Sequence, residues 1–464
     1  MFPNHPHPAA CLALPFLLGI VLTHAHEMAQ GTPADTAAIP AIAATSAIAG
    51  DSLPGLVAQA LKNNRRIKAA EFQVKSLHSS PGHTWYLEPP QVGVEFYQAP
   101  VKSFPNPIKD QMEIDYSVQQ SFPFPGKTAS RIEAEHKHAE MSESGLEALK
   151  RRVVREVKTD YYELYLLDRR MEINGQNQAL MNRLLEIARR QYEVGMGRQA
   201  DILRAQTELT HLKTDSITLV QSRKAMEGML NALVDRKTAQ AIPVTDSLVP
   251  ADVDWSLDQI RPILESGHPD LKAMKASIQM REAEGAMARK EYWPDFIVGG
   301  SYKDMLAMPA GTHGGELQDY WSVAVSMNVP VALWSLPKYK AGVVQSKANL
   351  GQAEEEYADM RNMVLARAQQ ALLKAQSSKE LAHLSKAVLV PQARQALEST
   401  LSAYQGGKSE FMTLLDAYRM SLMAKENTEM ALMQLLSSQA ELEEAIGFSL
   451  EEIRDRLSQG ANVR

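Results

Sequence analysis

The sequence predicts a mainly α-helical protein that carries a membrane β-barrel portion and is built twice over within one chain. Three observations support this. Aromatic residues make up only 6% of the 464 residues while charged residues reach 22%, a balance that favours long helices over a sandwich or an α/β enzyme core. The chain aligns with itself at a nearly constant offset, the mark of an internal repeat. In each copy, two short segments with apolar residues at every second position precede very long segments of helical period.

In chain order, residues 9–23 form an uncharged apolar run too short to span a bilayer, followed by the small residues Ala25 and Ala29. Residues 1–29 therefore read as a secretory signal peptide, although the first basic residue of the chain is Lys62. Residues 30–52 are rich in Ala, Thr and Pro without a period and read as a flexible arm. The two copies follow at 53–250 and 256–450, with a tail at 451–464. Leu61, Ile67 and Ala69 align with Leu264, Leu271 and Ala273, Pro90 with Pro294, Pro123 with Pro330, and Tyr192 with Tyr404.

Each copy opens on a helical segment. Strand-like alternation follows at Val92, Val94 and Phe96, then at Met112, Ile114, Tyr116 and Val118. In the second copy it recurs at Phe296 and Val298, then at Trp321, Val323, Val325, Met327, Val329 and Val331. Four strands of roughly eight to eleven residues are expected, a length that suits tilted membrane strands. Between Gly126 and Ile242 there is no proline, and Leu146, Leu149, Val153, Val157, Tyr161, Leu164, Leu167 and Met171 step by three and four. The second copy repeats this helix from Lys338 to about Ala403, with Pro391 expected to kink or loosen it. A helix of about 65 residues is about 100 Å long, far beyond what a globular core needs.

Composition excludes several functions. Lys plus Arg total 49 against 55 for Asp plus Glu, a net charge of -6 with no basic face for nucleic acid. The single cysteine, Cys11, leaves no disulfide framework, thiolate metal site or cysteine nucleophile in the body of the chain. No phosphate loop, HExxH or G-x-S-x-G element is present, so no enzyme and no cofactor is expected. His136 and His138 point to different helix faces and do not make a metal pair. Met420, Met423, Met430 and Met433, at helical spacing, are expected to pack in a core.

Four strands cannot close a barrel, and an open sheet in lipid leaves unsatisfied edges. The chain is therefore expected to contribute strands to a shared barrel, two chains supplying eight or three supplying twelve. Aromatics cluster around the strands at Tyr97, Phe104, Tyr116, Phe122, Trp293, Tyr302, Tyr320 and Trp321, where they suit interfacial girdles. A soluble periplasmic coiled-coil scaffold or adaptor would explain the helices alone, but not the recurring strand segments.

The paired segments YEVGMGRQADILRAQ (192–206) and YQGGKSEFMTLLDAY (404–418) resemble the Tyr-x-x-Gly helix-turn-helix signature of the TolC family of outer-membrane efflux proteins. HPDLKA (268–273), WPDFIVGGSY (293–302) and QQSFPFPGK (119–127) support the likeness, which runs from Leu53 to about Leu450. Two departures are Asn64-Arg65, where the family usually has Asn-Pro, and Thr413, where the first copy has Asp201.

The resemblance implies a homotrimer in which a twelve-stranded outer-membrane barrel continues into a twelve-helix periplasmic barrel. It implies an exit duct docked through a periplasmic adaptor onto an inner-membrane transporter, with type I protein secretion as the alternative use. Gly195, Gly197, Gly406 and Gly407 are expected to supply the open backbone of the turns between long helices. By resemblance these turns form the periplasmic tip, with Met196, Arg198, Lys408 and Ser409 contacting the adaptor. Asp201, Asp416 and Tyr404, just beyond the turns, are the expected constriction, since rings of carboxylates repel one another and attract cations.

Overall fold

The computed structural model describes residues 52–97, 101–106, 113–244, 248–306, 318–330 and 334–461. The expected leader and all of the arm except Ser52 lie outside them, as do Met112 and Val331.

The first repeat contains α1 (Leu53–Asn63), α2 (Arg65–Trp85), β1 (Gln91–Tyr97), β2 (Glu113–Phe122), α3 (Lys127–Glu193) and α4 (Gln199–Leu233). The second contains α5 (Leu257–Gly267), α6 (Pro269–Lys290), β3 (Phe296–Met305), β4 (Tyr320–Met327), α7 (Leu336–Leu384), α8 (Val390–Gln405) and α9 (Phe411–Ile446). The expected tail is a further helix, α10 (Leu450–Ala461), whose Ile453 is fully buried in the core of the second repeat. Each predicted opening helix is in fact two helices, and β1 is one residue shorter than expected.

The strands form one antiparallel sheet in the order β1-β2-β3-β4. Directly paired residues share a face, so the register sorts the side chains. Val94, Tyr116 and Tyr302 lie in one row opposite Trp321, and Val92, Val118, Gly300 and Val323 lie in the next. This face is apolar and exposed, Trp321 at 79% and Val325 at 72%. The other face carries Glu95, Glu113, Asp115, Ser117, Gln119, Ser301, Lys303 and Ser322. Lys303 bridges Glu113 and Asp115 across two strands.

The girdle expectation needs correcting at Tyr97 and Tyr320. Both belong to the polar face, opposite Glu113 and Lys303 respectively, because strand alternation overrides side-chain type. β4 ends before Val329 because the Asn328 side chain pairs with the backbone N–H of Asp295, closing the ladder.

The QQSFPFPGK and WPDF segments meet where sheet becomes helix. Phe124 stacks on Trp293 with centroids 5.0 Å apart. Lys127, 7% exposed, donates to Asp295 at 2.8 Å and to the Trp293 carbonyl at 3.1 Å. The Lys290 ammonium donates to the Gly126 carbonyl and to Ser130, both at 2.8 Å. A buried ammonium with this many acceptors is compensated for leaving water.

Beyond the sheet the helices form a layer. α3, and α7 continued by α8, run its full length, while α2 is continued end to end by α4, and α6 by α9. The first joint is held by Asn64 (4% exposed), whose Oδ1 accepts from Arg66 and Ile67 and whose Nδ2 donates to the Leu233 carbonyl at 2.9 Å. The second is held by His268 (5% exposed), whose Nδ1 accepts from Asp270 at 3.2 Å and whose ring also bonds the Ala445 carbonyl. One apolar core surrounds each joint, and a third lies at the far end of the hairpins. Val153, Val157, Tyr161, Leu164 and Leu167 of the predicted stripe are buried. Met420, Met423 and Met430 are 59%, 61% and 44% exposed, contrary to expectation, and Met433 packs beside a core. The three exposed methionines lie on a face of α9 left open among the described residues.

Pro391 does not end its helix. A π-helical turn, Ser385–Leu389, joins α7 to α8 immediately before it. Pro391 has no N–H, and its ring crowds the carbonyl four residues back, at Ala387; a widened turn relieves both.

Candidate functional site

Both helical reversals are built from the same hydrogen bonds. At the end of α3, Met196 N donates to the Gln191 carbonyl at 2.8 Å and Gly195 N to that of Tyr192 at 3.0 Å. After α8, Lys408 N donates to Ala403 at 2.9 Å and Gly407 N to Tyr404 at 3.0 Å. These are two Schellman motifs, which satisfy carbonyls that a helix end would otherwise leave unpaired. The motif needs one left-handed residue, and Gly195 (φ 76°) and Gly407 (φ 70°) supply it.

The four expected turn glycines therefore do different things. Gly197 is required by space rather than by φ, since a Cβ there would sit 2.8 Å from the Tyr192 backbone nitrogen. Gly406 needs neither, with φ -82° and only ordinary contacts for an added Cβ. Met196 is 75% exposed, and Arg198, Lys408 and the glycine backbones at 195, 406 and 407 are also exposed, with Ser409 half-buried.

The two turns lie side by side. Gln191 Nε2 donates to the Gln405 carbonyl at 3.1 Å, and Arg198 faces Glu410 at 3.8 Å. The latter pair is open to solvent and adds little stability. Behind them is a cleft of about 310 Å³ lined by Met196, Arg198, Asp201, Tyr404, Lys408 and Phe411, among others.

Asp201 is 8% exposed. Its carboxylate accepts from Arg198 N at 3.4 Å and pairs with Arg204 at 3.7 Å, so it caps α4 and holds a charge at the positive end of that helix. Tyr404 packs edge-on against Phe411, and its buried hydroxyl has no hydrogen-bond partner among the described residues. Burial first, then the nearby Asp201 charge, raises its pKa above the ordinary tyrosine value.

Asp416 is exposed on α9, one turn before Arg419. Arg419 reaches across to Glu208 of α4 through two bonds of 2.7 and 3.3 Å. Glu208 is 9% exposed, and this forked charge-assisted contact ties the returning helices together. Neither residue was singled out from the sequence, nor were Arg204 and Glu410. The repeat offset holds the missed signal: Arg198 aligns with Glu410 and Arg204 with Asp416, opposite charges at equivalent places. Glu208 and Arg419 have no such counterparts and could be found only in three dimensions.

A four-stranded sheet with one apolar face, two unpaired edges and a long helical wall ending in paired tips defines a subunit of a membrane-spanning duct. The chain belongs to the outer membrane efflux protein family, whose sequence profile matches residues 56–234 and 262–448, one match per repeat. It is an outer-membrane channel that extends into the periplasm and serves as an exit duct for efflux.

Solved structures share the fold. VceC of Vibrio cholerae is 16% identical with a TM-score of 0.70, over 86% of this chain and 96% of that one. The CmeC outer-membrane channel of Campylobacter jejuni is 15% identical with a TM-score of 0.68, over 88% of each chain. The open-state MtrE channel of Neisseria gonorrhoeae is 17% identical with a TM-score of 0.65, over 86% and 90%. No curated protein sequence matches the chain significantly.

Proposed function

We propose that three copies of this chain close a twelve-stranded barrel and a twelve-helix periplasmic tunnel. This trimer would act without catalysis as the last segment of a tripartite pump. The unclosed sheet carries the reading: an antiparallel sheet with an apolar exposed face needs other strands at both edges before it can sit in lipid. The helical layer has matching open edges. Leu203, Ile217 and Met229 of α4, and Leu373, Leu381 and Leu384 of α7, are each more than half exposed. Apolar seams of that kind call for a neighbouring copy.

The tips at Gly195–Arg198 and Gly406–Ser409 dock the adaptor, whose partner is the inner-membrane transporter. Asp201, Tyr404 and Asp416 belong to the constriction. The exposed Met196 and the tight backbone at the tips support helical-hairpin docking, and the exposed carboxylate of Asp416 supports a charged ring under threefold symmetry.

The mass of the unheated, detergent-extracted protein tests the assembly. Three chains of 51.4 kDa before leader removal give about 150 kDa in the outer-membrane fraction, whereas a monomer or dimer in the periplasmic fraction would overturn it. Bulky charged residues at Gly195 and Gly407 are expected to abolish export while the trimer persists; loss of the trimer would make the turns purely structural. Asp416→Ala is expected to raise single-channel conductance in planar bilayers, and an unchanged conductance removes it from the gate.

A further inference from the structure

The duplication places Asn64 and His268 at equivalent positions, and the two side chains make equivalent bonds. Each caps the first turn of the sheet-side helix through an acceptor, and each bonds a carbonyl at the end of the tip-side helix. Asn64 can do this at any pH. His268 can do it only as a neutral ring, because its Nδ1 must accept from Asp270 N while the proton stays on Nε2, the nitrogen that faces the α9 end beside Gly447. Protonation would turn Nδ1 into a donor facing a donor.

We propose that the α6–α9 joint of the second repeat is an acid-sensitive latch, with His268 as its positioning residue, and that the α2–α4 joint of the first repeat is its non-titrating twin.

The surroundings hold the ring neutral at ordinary pH. The joint borders a cavity of about 390 Å³. Arg151 and Arg152 of α3 and Arg367 and Lys374 of α7 face it, against Glu441 and Glu444 of α9 and Asp270 of α6 itself. Arg456 of α10 lies beside the neighbouring Gly267. Burial is the largest influence and lowers the histidine pKa; Asp270 and the bond to the Ala445 carbonyl oppose it, and Arg367 reinforces it. The positive end of α6 acts in the same direction as burial. A base whose pKa is lowered on folding destabilises the folded form as pH falls below the free-histidine range near 6.5, and the loss levels off below the folded value. The acid-induced weakening thus falls on one hairpin of each chain, while the first joint, whose capping Asn64 does not titrate, is strengthened by acid through the neighbouring Asp160, whose pKa burial raises to about 6.

Hydrogen exchange on the intact, detergent-solubilised full chain between pH 7.5 and 5 tests this, each amide being corrected for its intrinsic exchange rate. Wild-type protection of the first turn of α6 and the last turn of α9 is expected to fall by up to ~10-fold per pH unit within the window. The corresponding amides at 66–67 and 230–234 serve as internal reference and should not weaken.

His268→Asn should abolish the pH dependence while keeping the protection, because it installs the residue that the first repeat already uses. Asn64→His should create a second acid-sensitive joint. Protection at the α6–α9 joint that does not fall with pH, or an unchanged pH dependence there in His268→Asn, would overturn the proposal. The oligomer mass, measured on the same samples, reports separately on the trimer.

Discussion

The two repeats solve one backbone problem with different side chains. Both must reverse a long helix, break a helical stack near the sheet and pass from sheet to helix. The paired Schellman bonds at the reversals recur in both repeats and the joint side chains make corresponding bonds, while the residues differ: Met196 against Lys408, Gly197 against Ser409, Asn64 against His268, Asp201 against Thr413. The comparison teaches that the duplication is preserved where a main-chain group needs a partner, and that the two copies diverge where a side chain meets the other repeat or solvent. The long helices show the same thing. α3 runs unbroken for 67 residues, whereas its counterpart accommodates Pro391 by widening one turn.

Three pairs of substitutions, two of them at counterpart positions, and one single change would sharpen or break this comparison, with denaturant unfolding of the detergent-solubilised protein as the measurement. Ala179, exposed on α3, is the counterpart of Pro391. Ala179→Pro is expected to cost about 3 kcal/mol or more, because α3 has no widened turn to receive it. Pro391→Ala should change stability by less than about 0.5 kcal/mol, and equal effects would mean that the π turn is not an adaptation to proline.

Gly197→Ala is expected to cost about 2 kcal/mol, since the new Cβ meets main chain. Ser409→Ala should be nearly neutral, within about 0.5 kcal/mol. Arg419→Ala, which strands the buried Glu208, is expected to cost about 1.5 kcal/mol. Arg204→Ala should cost only a few tenths, about 0.3 kcal/mol, because Asp201 keeps its bond to Arg198 N. A cost for Arg204→Ala as large as that for Arg419→Ala would show that the two tips share their electrostatics evenly.

The last effect concerns pH. Beside the first joint, Asp160 lines a cavity with Asn64 and Glu156. Its pKa is pushed up to about 6, first by burial and then by Glu163 and Glu156, with Arg155 opposing. The folded state therefore binds the extra proton, and its contribution to stability rises as pH falls through 6 and is lost as pH rises through it. His268 has the opposite sign. Asp160→Asn should remove the acid stabilisation of the first repeat, seen as a flatter pH profile between 7 and 5; an unchanged profile would clear Asp160 of that role.

Much of this was legible in the sequence, for reasons that particular residues make clear. Period-two alternation at Val92–Phe96 and Trp321–Met327 reports a sheet with unlike faces, and proline-free length reports the helices. The turn glycines were legible as turns, but which of them needs a left-handed φ and which needs empty space depends on the path of the reversed chain. Tyr97 and Tyr320 were misplaced because residue type says nothing about parity. The Glu208–Arg419 tie was invisible because its partners are 211 residues apart and have no pattern of their own.

The ten-residue β2–β3 ladder joins the two repeats within one polypeptide, and in the proposed trimer β4 would meet β1 of the next copy in a seam of the same pseudo-symmetric kind. The ring is then six similar halves of which three seams are already tethered. Duplication has replaced a six-body assembly by a three-body one. The dilution dependence of ring closure falls from the sixth to the third power of concentration, because each tether holds its two halves at an effective concentration in the ~mM range. A channel made of rare, newly exported chains can thereby close at abundances where six separate halves would remain apart.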